Sequence, residues 1–425
     1  EPVLRRHAEA LPGIALHYGW RVEAFAETAQ GVAVTVEPAA GGPAVMLECR
    51  FLFAADGARS AVRAALGFAL QGEALRARDF MGGLMQAVYL RAPRFHAETG
   101  HPPAWMQVTY NRDRRAFMAA VDGAGEFAFH TQLRDGEHPE LVTDEVALGM
   151  FQAAVGRPVA AEILARGTWI AGRALAADGF QRGRVFLGGD AVHLFTPAGG
   201  LGYNTAIEDA VNLGWKLAAV LKGEAPPALL ASYEAERRPI ALRNTDFARR
   251  FADSLAYVPA PPELEEESAA GAAARAAAGA HFNRHARREF DIPGITFGYR
   301  YDASPVIAGD GTPPPADAAN VYVPSSVPGG RPPHAWLAPG VSLYDRFGFG
   351  WTLLRLGPTA PAAEPFRLAA AARGTLLAVC DLPDADLRDL YARDLVLIRP
   401  DQIIAWRGND TNEAEAVWRK VTGDG

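Results

Sequence analysis

Cysteine is nearly missing from this 425-residue chain: only Cys49 and Cys380 occur, far apart and each alone. That excludes a disulfide framework, a CxxC redox pair and a zinc-type cluster, and it fits a reducing cytoplasm. Basic charge is also short. Lys and Arg number 42 against 49 Asp and Glu, a formal net charge of -7, so the chain offers no basic excess for nucleic acid or an anionic membrane. No apolar run reaches membrane-spanning length, and the N-terminus lacks the basic, apolar and small-residue order of a signal peptide. Internal repeats are absent as well. What is present, 49% hydrophobic and 21% charged residues, suits two or three globular domains acting on a small molecule.

The densest signal runs from Gly183 to Lys216. Arg184 to Gly188 is an apolar run of strand length that stops at Gly189 and Asp190, as a buried parallel strand does when a polar ligand lies beyond its carboxyl end. Asp190 then becomes an acceptor for a ligand hydroxyl. The loop Pro197-Ala-Gly-Gly-Leu-Gly202 carries enough glycine for backbone to approach a flat ligand closely. Thr205 and Glu208 read as the capping box of the helix that follows, with Ala206, Ala210, Leu213 and Leu217 as its apolar stripe and Glu208, Asp209, Asn212 and Lys216 off it. The free amides and the positive dipole end face back into the glycine loop, where a ring system that becomes anionic on reduction is stabilised. A reduced flavin is such a ring.

A second motif, Asp56-Gly-Ala-Arg59-Ser60-Ala-Val-Arg63, follows the apolar run Phe51 to Ala55 and opens a short helix closed by Gly67. Asp56 stands at a strand end, Ser60 is an N-cap, and Arg59 and Arg63 are placed to approach a phosphate; an Asx turn with solvated arginines is the plainer alternative. Before this motif lie a helix (Leu4 to Leu11) and a small meander. From about Leu75 to Trp169 strands dominate (Leu84 to Leu90, Trp105 to Tyr110, Phe117 to Val121), with one helix near Thr143 to Val155, which predicts a separate antiparallel substrate-side sheet. An alanine-rich connector and proline clusters follow. Ser342 to Leu356, Thr375 to Asp381 and Leu395 to Trp406 then read as strands of a C-terminal α/β unit.

These motifs, together with Asp209-Ala-Val-Asn212-Leu-Gly-Trp215-Lys216, resemble the single-component FAD-dependent aromatic hydroxylases, most of all the phenol hydroxylase and hydroxyphenylpropionate hydroxylase branch. Gly330-Arg-Pro-Pro-His334-Ala-Trp336, Tyr344-Asp-Arg-Phe-Gly348 and Leu395-Val-Leu-Ile-Arg399 are similar to that branch's thioredoxin-like extra domain. The resemblance implies an α/β chain, α+β in parts. Its parts are a three-layer FAD/NAD(P)-binding fold in 1–74 and 177–255, an inserted antiparallel-sheet substrate domain in 75–176, a helical connector in 256–330 and a thioredoxin-like domain in 331–425. It further implies FAD as cofactor, NADPH or NADH as co-substrate, and dioxygen converted to a hydroperoxide at the flavin C4a carbon, which hydroxylates a phenolic ring. A cytoplasmic enzyme without nucleic-acid or membrane partners and able to form a homodimer fits the same picture. Matched by position, Asp190 and Gly189 hold the ribityl or phosphate part of the flavin. Gly200, Gly202 and Asn204 match the loop beside the isoalloxazine, and Leu201 and Tyr203 between them are cofactor-binding candidates, Tyr203 departing from the smaller residue of many relatives and reading more as packing against the helix than as pocket lining. Pro197 keeps its backbone near flavin and substrate, and Asp56 and Arg63 belong to the motif tied to FAD and nicotinamide.

The family's opening GxGxxG fingerprint is missing from these residues, and the chain begins at Glu1-Pro2 without methionine. The expectation is a chain that starts after its first strand-helix-strand unit and that by itself binds FAD poorly. Two rival functions stay open: a related flavin monooxygenase or epoxidase acting on a polycyclic or quinone-like compound, and a truncated non-catalytic chain that does not retain FAD. His193 reads more as a hydrogen-bonded structural piece than as a proton relay. His281 and His285 have metal-ligand spacing but lie on a basic face without a third ligand. Tyr89, Tyr110, Phe129 and His130 read as core or pocket aromatics without assigned roles, and Cys380 as inert packing.

Overall fold

The computed structural model describes residues 2–73, 81–256 and 260–425; the expected start of the sheet region near Leu75 lies outside the described residues. Helix α1 (Pro2–Ala10) precedes a meander of β1 (Trp20–Glu27), β2 (Val32–Pro38) and β3 (Val45–Cys49). Val32, Val34 and Val36 point inward, as the period of two requires. β4 (Leu52–Ala54) follows, and α2 (Ala61–Ala65) starts on Ser60, whose Oγ accepts the Arg63 amide at 2.9 Å.

After β5 (Leu70–Glu73) comes a five-stranded antiparallel sheet of β6 (Leu84–Arg91), β7 (Met106–Thr109), β8 (Ala116–Ala120), β9 (Glu126–Gln132) and β10 (Glu162–Ile170), in the order β10-β6-β9-β8-β7. Helices α3 (Phe95–Thr99) and α4 (Asp144–Val155) are inserted in it. α4 covers one face, where Met118, Phe127 and Phe129 join Met150 and Phe151 in a single core. Alternation sends Phe117 and His130 to the opposite face, stacked with ring centroids 4.6 Å apart. That face forms a pocket wall.

The chain returns through β11 (Ala174–Ala177), β12 (Gln181–Arg182), β13 (Val185–Leu187) and β14 (His193–Leu194). β13 is wholly buried and pairs in parallel with β4, Val185 opposite Leu52. The two motifs are thereby set side by side at the ends of neighbouring parallel strands. The α-helices α5 (Leu201–Lys222), α6 (Ser232–Ala256), α7 (Ala269–Phe290) and α8 (Pro293–Phe297) follow.

The C-terminal unit has a hairpin, β15 (Trp336–Ala338) and β16 (Val341–Ser342), then β17 (Trp351–Leu356), α9 (Glu364–Ala371), β18 (Leu377–Leu382), α10 (Ala385–Tyr391), β19 (Leu395–Ile398), β20 (Ile404–Gly408) and α11 (Ala414–Thr422). Its sheet runs β18-β17-β19-β20, with β17 and β18 parallel and the other pairs antiparallel, a thioredoxin-like βαβ unit followed by ββα. Two expected strands divide. Ser342 and Asp345 form a capping box that turns the chain before Trp351, and Pro400, with no amide hydrogen, ends β19 ahead of a turn in which Gln402 takes φ +61°.

Helix α5 differs most from the sequence reading. It begins at Leu201 on Gly200 rather than at Thr205, and Thr205 is buried inside it, its Oγ1 accepting from Asn244 at 3.1 Å. Asp209, Asn212 and Lys216, expected off the apolar stripe, lie on the most buried face, while Ala210 is exposed. The reason is that α6 and the C-terminal unit bring charge to meet them. Glu236 of α6 accepts from Lys216 Nζ at 2.7 Å, Asn212 Nδ2 at 2.6 Å, Ser304 Oγ at 2.6 Å and both terminal nitrogens of Arg399 at 2.6 and 2.9 Å. Lys216, Glu236 and Arg399 side chains have no exposed surface. Burial pushes the Glu236 carboxyl up, but the charges of Arg399 and Lys216 outweigh it and hold the group well below the usual carboxylate range. Trp215 adds an edge contact to Trp351 at 5.7 Å and lies beneath the Arg399 guanidinium at 5.0 Å. Removing one charge from such a cluster strands the others away from water. Glu236→Gln is expected to cost about 3–5 kcal/mol in urea unfolding, whereas Asp317→Asn, which removes a 62% exposed carboxylate from its pair with Arg243, should cost less than about 1 kcal/mol.

Candidate flavin and substrate site

The two motifs meet beyond the ends of β4 and β13. Asp56 Oδ2 accepts the Val62 amide at 3.1 Å and so caps α2. Arg63 donates to the Ala191 carbonyl at 2.7 Å and the Ala58 carbonyl at 3.1 Å, tying the first motif to the second. Arg59 is exposed. Two residues carried over as cofactor contacts therefore already hold the loops that would surround a cofactor.

The second loop is fastened from beneath. Gly189 takes φ +60°, and its amide donates to Asp209 Oδ2 at 3.0 Å. The same oxygen accepts from His193 Nε2 at 2.7 Å, and Asp209 Oδ1 accepts from Arg237 Nε at 2.8 Å. Arg237 continues to Tyr301 Oη, the Thr205 carbonyl and Glu208. Burial raises the Asp209 carboxyl, yet Arg237 and His193 prevail and keep it below its ordinary value. His193 has no exposed surface, which supports its structural role. Asp190 takes the opposite course: its side chain is exposed beside this anchored turn.

Above the turn, Gly199 and Gly200 adopt φ +68° and +63°, a conformation that glycine reaches without strain. Gly200 caps α5 without a side-chain hydrogen bond, and no acidic residue stands in the first turn. The helix therefore presents unscreened N-terminal amides and its positive dipole end. Asn204 Nδ2 bonds back to the Gly200 carbonyl at 2.7 Å, and Tyr203 is 65% exposed. A cradle of open amides with an exposed carboxylate alongside fits an FAD whose ring gains negative charge and whose ribityl chain carries hydroxyls.

Pro197 and Ala198 enter the wall of a cavity of about 340 Å³. Opposite them stand Met106 and Val108 of β7, Phe117 of β8, Phe251 of α6, and Phe282 and Phe290 of α7. Ring contacts hold α7 on the sheet: Tyr110 meets Phe282 at 4.7 Å, and Trp105 meets Phe290 at 5.6 Å. Of the aromatics singled out in the sequence, Tyr110 lines the cavity. His130 stands behind Phe117 and accepts from Trp169 Nε1 at 3.0 Å, with burial pulling its pKa down. Phe129 is core, and Tyr89 is bonded to Glu126. His281 and His285 have ring centroids 4.1 Å apart with tilted planes, and among the described residues no group of three or more side chains that could hold a metal ion exists. No helix among the described residues is long and apolar enough to cross a membrane.

Residues 1–248 match a family described as FAD binding domain, and residues 325–424 match the aromatic-ring hydroxylase C-terminal family. The chain belongs to the FAD-dependent aromatic-ring hydroxylases. It is 32% identical to a 4-methyl-5-nitrocatechol 5-monooxygenase from a Burkholderia species, over 97% of this chain and 74% of that protein. A solved structure of the rebeccamycin biosynthetic enzyme RebC with reduced flavin superposes with a TM-score of 0.82 at 34% identity, covering 96% of this chain and 74% of that one. A ternary complex of aklavinone-11 hydroxylase with FAD and aklavinone superposes with a TM-score of 0.78 at 26% identity, covering 98% and 75%. As an aromatic-ring hydroxylase the protein is an FAD-dependent monooxygenase. Arg63→Ala, which cuts the strap between the two hydroxylase motifs, is expected to lower FAD affinity at least about tenfold, as loss of a partly buried charged hydrogen bond of about 1.5–3 kcal/mol allows. Arg59→Ala should leave FAD affinity unchanged; titration with FAD, followed by flavin fluorescence, reads both.

Proposed function

We propose that this hydroxylase inserts one oxygen atom into a phenolic aromatic compound of more than one ring, using NADPH or NADH and dioxygen. The observation that carries the reading is the cavity. At about 340 Å³ it has more than twice the roughly 150 Å³ that encloses benzene in an engineered protein cavity, and it lies near the small end of pockets for drug-sized ligands. Its walls are mainly aromatic and aliphatic, which suits a flat apolar ring system. Pro197 and Ala198 lie on the wall, so a ring bound there sits next to the glycine loop of the proposed FAD cradle.

Asp190, Gly189, the 200–204 segment and the α2 motif with Asp56 and Arg63 would hold FAD. Bound there and reduced by the nicotinamide, it supplies the activated oxygen. The protein's own contribution is to exclude water from the reacting ring, to keep the ring beside the loop, and to offer the α5 dipole to developing negative charge. A phenolic hydroxyl is assigned because electron release into the ring makes its ortho and para carbons nucleophilic.

The test is NAD(P)H oxidation with product analysis on phenol and naphthol, with FAD in excess. Naphthol should give hydroxylated product with the higher kcat/KM, and Ala286→Phe, which narrows the cavity, should move the ratio about tenfold toward phenol. Oxidation without hydroxylated product from either compound would overturn the reading.

A further inference from the structure

The apolar cavity contains one carboxylate. Among the described residues that line it, Glu289 is the acidic one, placed in the last turn of α7. Its position is unfavourable for a charge in two ways: the C-terminal end of a helix dipole is negative, and the surrounding wall is apolar. Burial pushes its carboxyl above the ordinary value, and the Gly199 amide opposes that shift only in part. No charged partner among the described residues offsets this: burial and the Gly199 amide alone set the direction of the shift.

One oxygen is already committed. Glu289 Oε1 accepts the Gly199 amide at 2.9 Å, while Oε2 accepts no hydrogen bond among the described residues. The contact is built into the backbone as well. Gly199 takes φ +68°, and a Cβ there would stand 3.3 Å from the Glu289 carbonyl oxygen, so the loop and the end of α7 are fitted to each other. Glu289 therefore lies beside the same loop that supplies Pro197 and Ala198 to the cavity, with an acceptor left over.

Resting on the hydroxylase reading above, we propose that Glu289 is a catalytic base whose Oε2 accepts the hydrogen bond, and then the proton, of the substrate's phenolic hydroxyl. The substrate O–H bond breaks, its proton goes to Oε2, and the electron pair stays on the phenolic oxygen and spreads into the ring. The ring carbon thus enriched forms a C–O bond to one atom of the dioxygen that the monooxygenase reaction activates, the O–O bond breaks, and the two electrons from NAD(P)H take the other oxygen atom to water. On rearomatisation that carbon loses its hydrogen as a proton, and the dienone oxygen takes one back from Glu289, restoring the carboxylate. A carboxyl held above its usual range is a better base for this task than an exposed one, because Brønsted efficiency grows as its pKa approaches the working pH. The ionisable groups facing it from the sheet side are Tyr110 and Arg115; His285 lies one turn back on its own helix, and the Pro197–Ala198 loop and the Phe251–Ala252 part of α6 add none to the cavity.

Glu289→Gln keeps an oxygen for the Gly199 amide and removes the base, and Glu289→Asp keeps the acid on a shorter arm. With FAD in excess, Glu289→Gln should lower kcat for naphthol hydroxylation about a hundredfold or more, with FAD binding and KM little changed, and Glu289→Asp should recover part of the loss. In the wild type, the acid limb of the pH profile should lie above the ordinary carboxylate range, since the base must be ionised; this limb should vanish in Glu289→Gln. Bound naphthol should show phenolate character in its absorption spectrum at a lower pH in the wild type than in Glu289→Gln. A Glu289→Gln enzyme that hydroxylates naphthol at the wild-type rate with the same acid limb would overturn the proposal and leave the hydroxylase reading standing. A wild type that makes no product overturns both. Should Glu289→Gln fail to fold, the wild type decides: bound naphthol that shows no phenolate character on either side of the acid limb would overturn the base assignment.

Discussion

The carboxylate of Asp209, shut away from water between Arg237 and His193, is the constraint on which the rest of the site depends. It is the partner of the Gly189 amide, so the turn that displays Asp190 is shaped from below by a buried ion pair rather than by its own residues. The next carboxylate in this interior, Glu236, immediately precedes Arg237 on α6 and answers to Arg399 of the C-terminal unit. One helix thus serves two clusters at once, the first under the cofactor loop and the second at the seam between units. Buried pairs of this kind contribute little net stability compared with apolar packing of the same shape, but they penalise every arrangement that leaves one charge alone. They fix where α5 lies, and α5 is the floor of the site.

A cavity of apolar wall and a loop of open amides are physically opposed environments, and the fold sets them edge to edge through five residues. Pro197 and Ala198 belong to the cavity, Gly199 is tied to Glu289, and Gly200 and Leu201 open the helix. The boundary between a mainly apolar ring pocket and a polar cradle is the place where a ring would be held against a cofactor and where water must not follow.

Much of this was legible in the residues, and what was not has definite causes. The strand ending at Gly188 and the turn at Asp56 were readable because a run of buried residues cut off by Gly-Asp has few alternatives in a parallel sheet. Ser60 was readable as a cap for the same local reason. The burial of Asp209 and Lys216 was not: a polar residue on a helix face reads as solvent-facing, and only the arrival of Arg237, Glu236 and Arg399 from elsewhere in the chain reverses that. The start of α5 was misplaced because Thr205 and Glu208 imitate a capping box while Gly200 performs the function with backbone alone. Glu289 lacked any local signal, since it sits at the end of an alanine- and arginine-rich helix whose pocket face exists only once α7 lies on β7 and β8. Its signature in sequence is at most an acidic residue breaking a basic run.

The account stands or falls on oxygen transfer to a ring in the Pro197 cavity. The direct measurement is turnover of naphthol under isotopically heavy dioxygen, with FAD and NAD(P)H present and the product weighed by mass spectrometry. The account predicts a hydroxylated product carrying one heavy oxygen atom. NAD(P)H consumed with the heavy oxygen found only in hydrogen peroxide, or a product oxygen drawn from water, would contradict it.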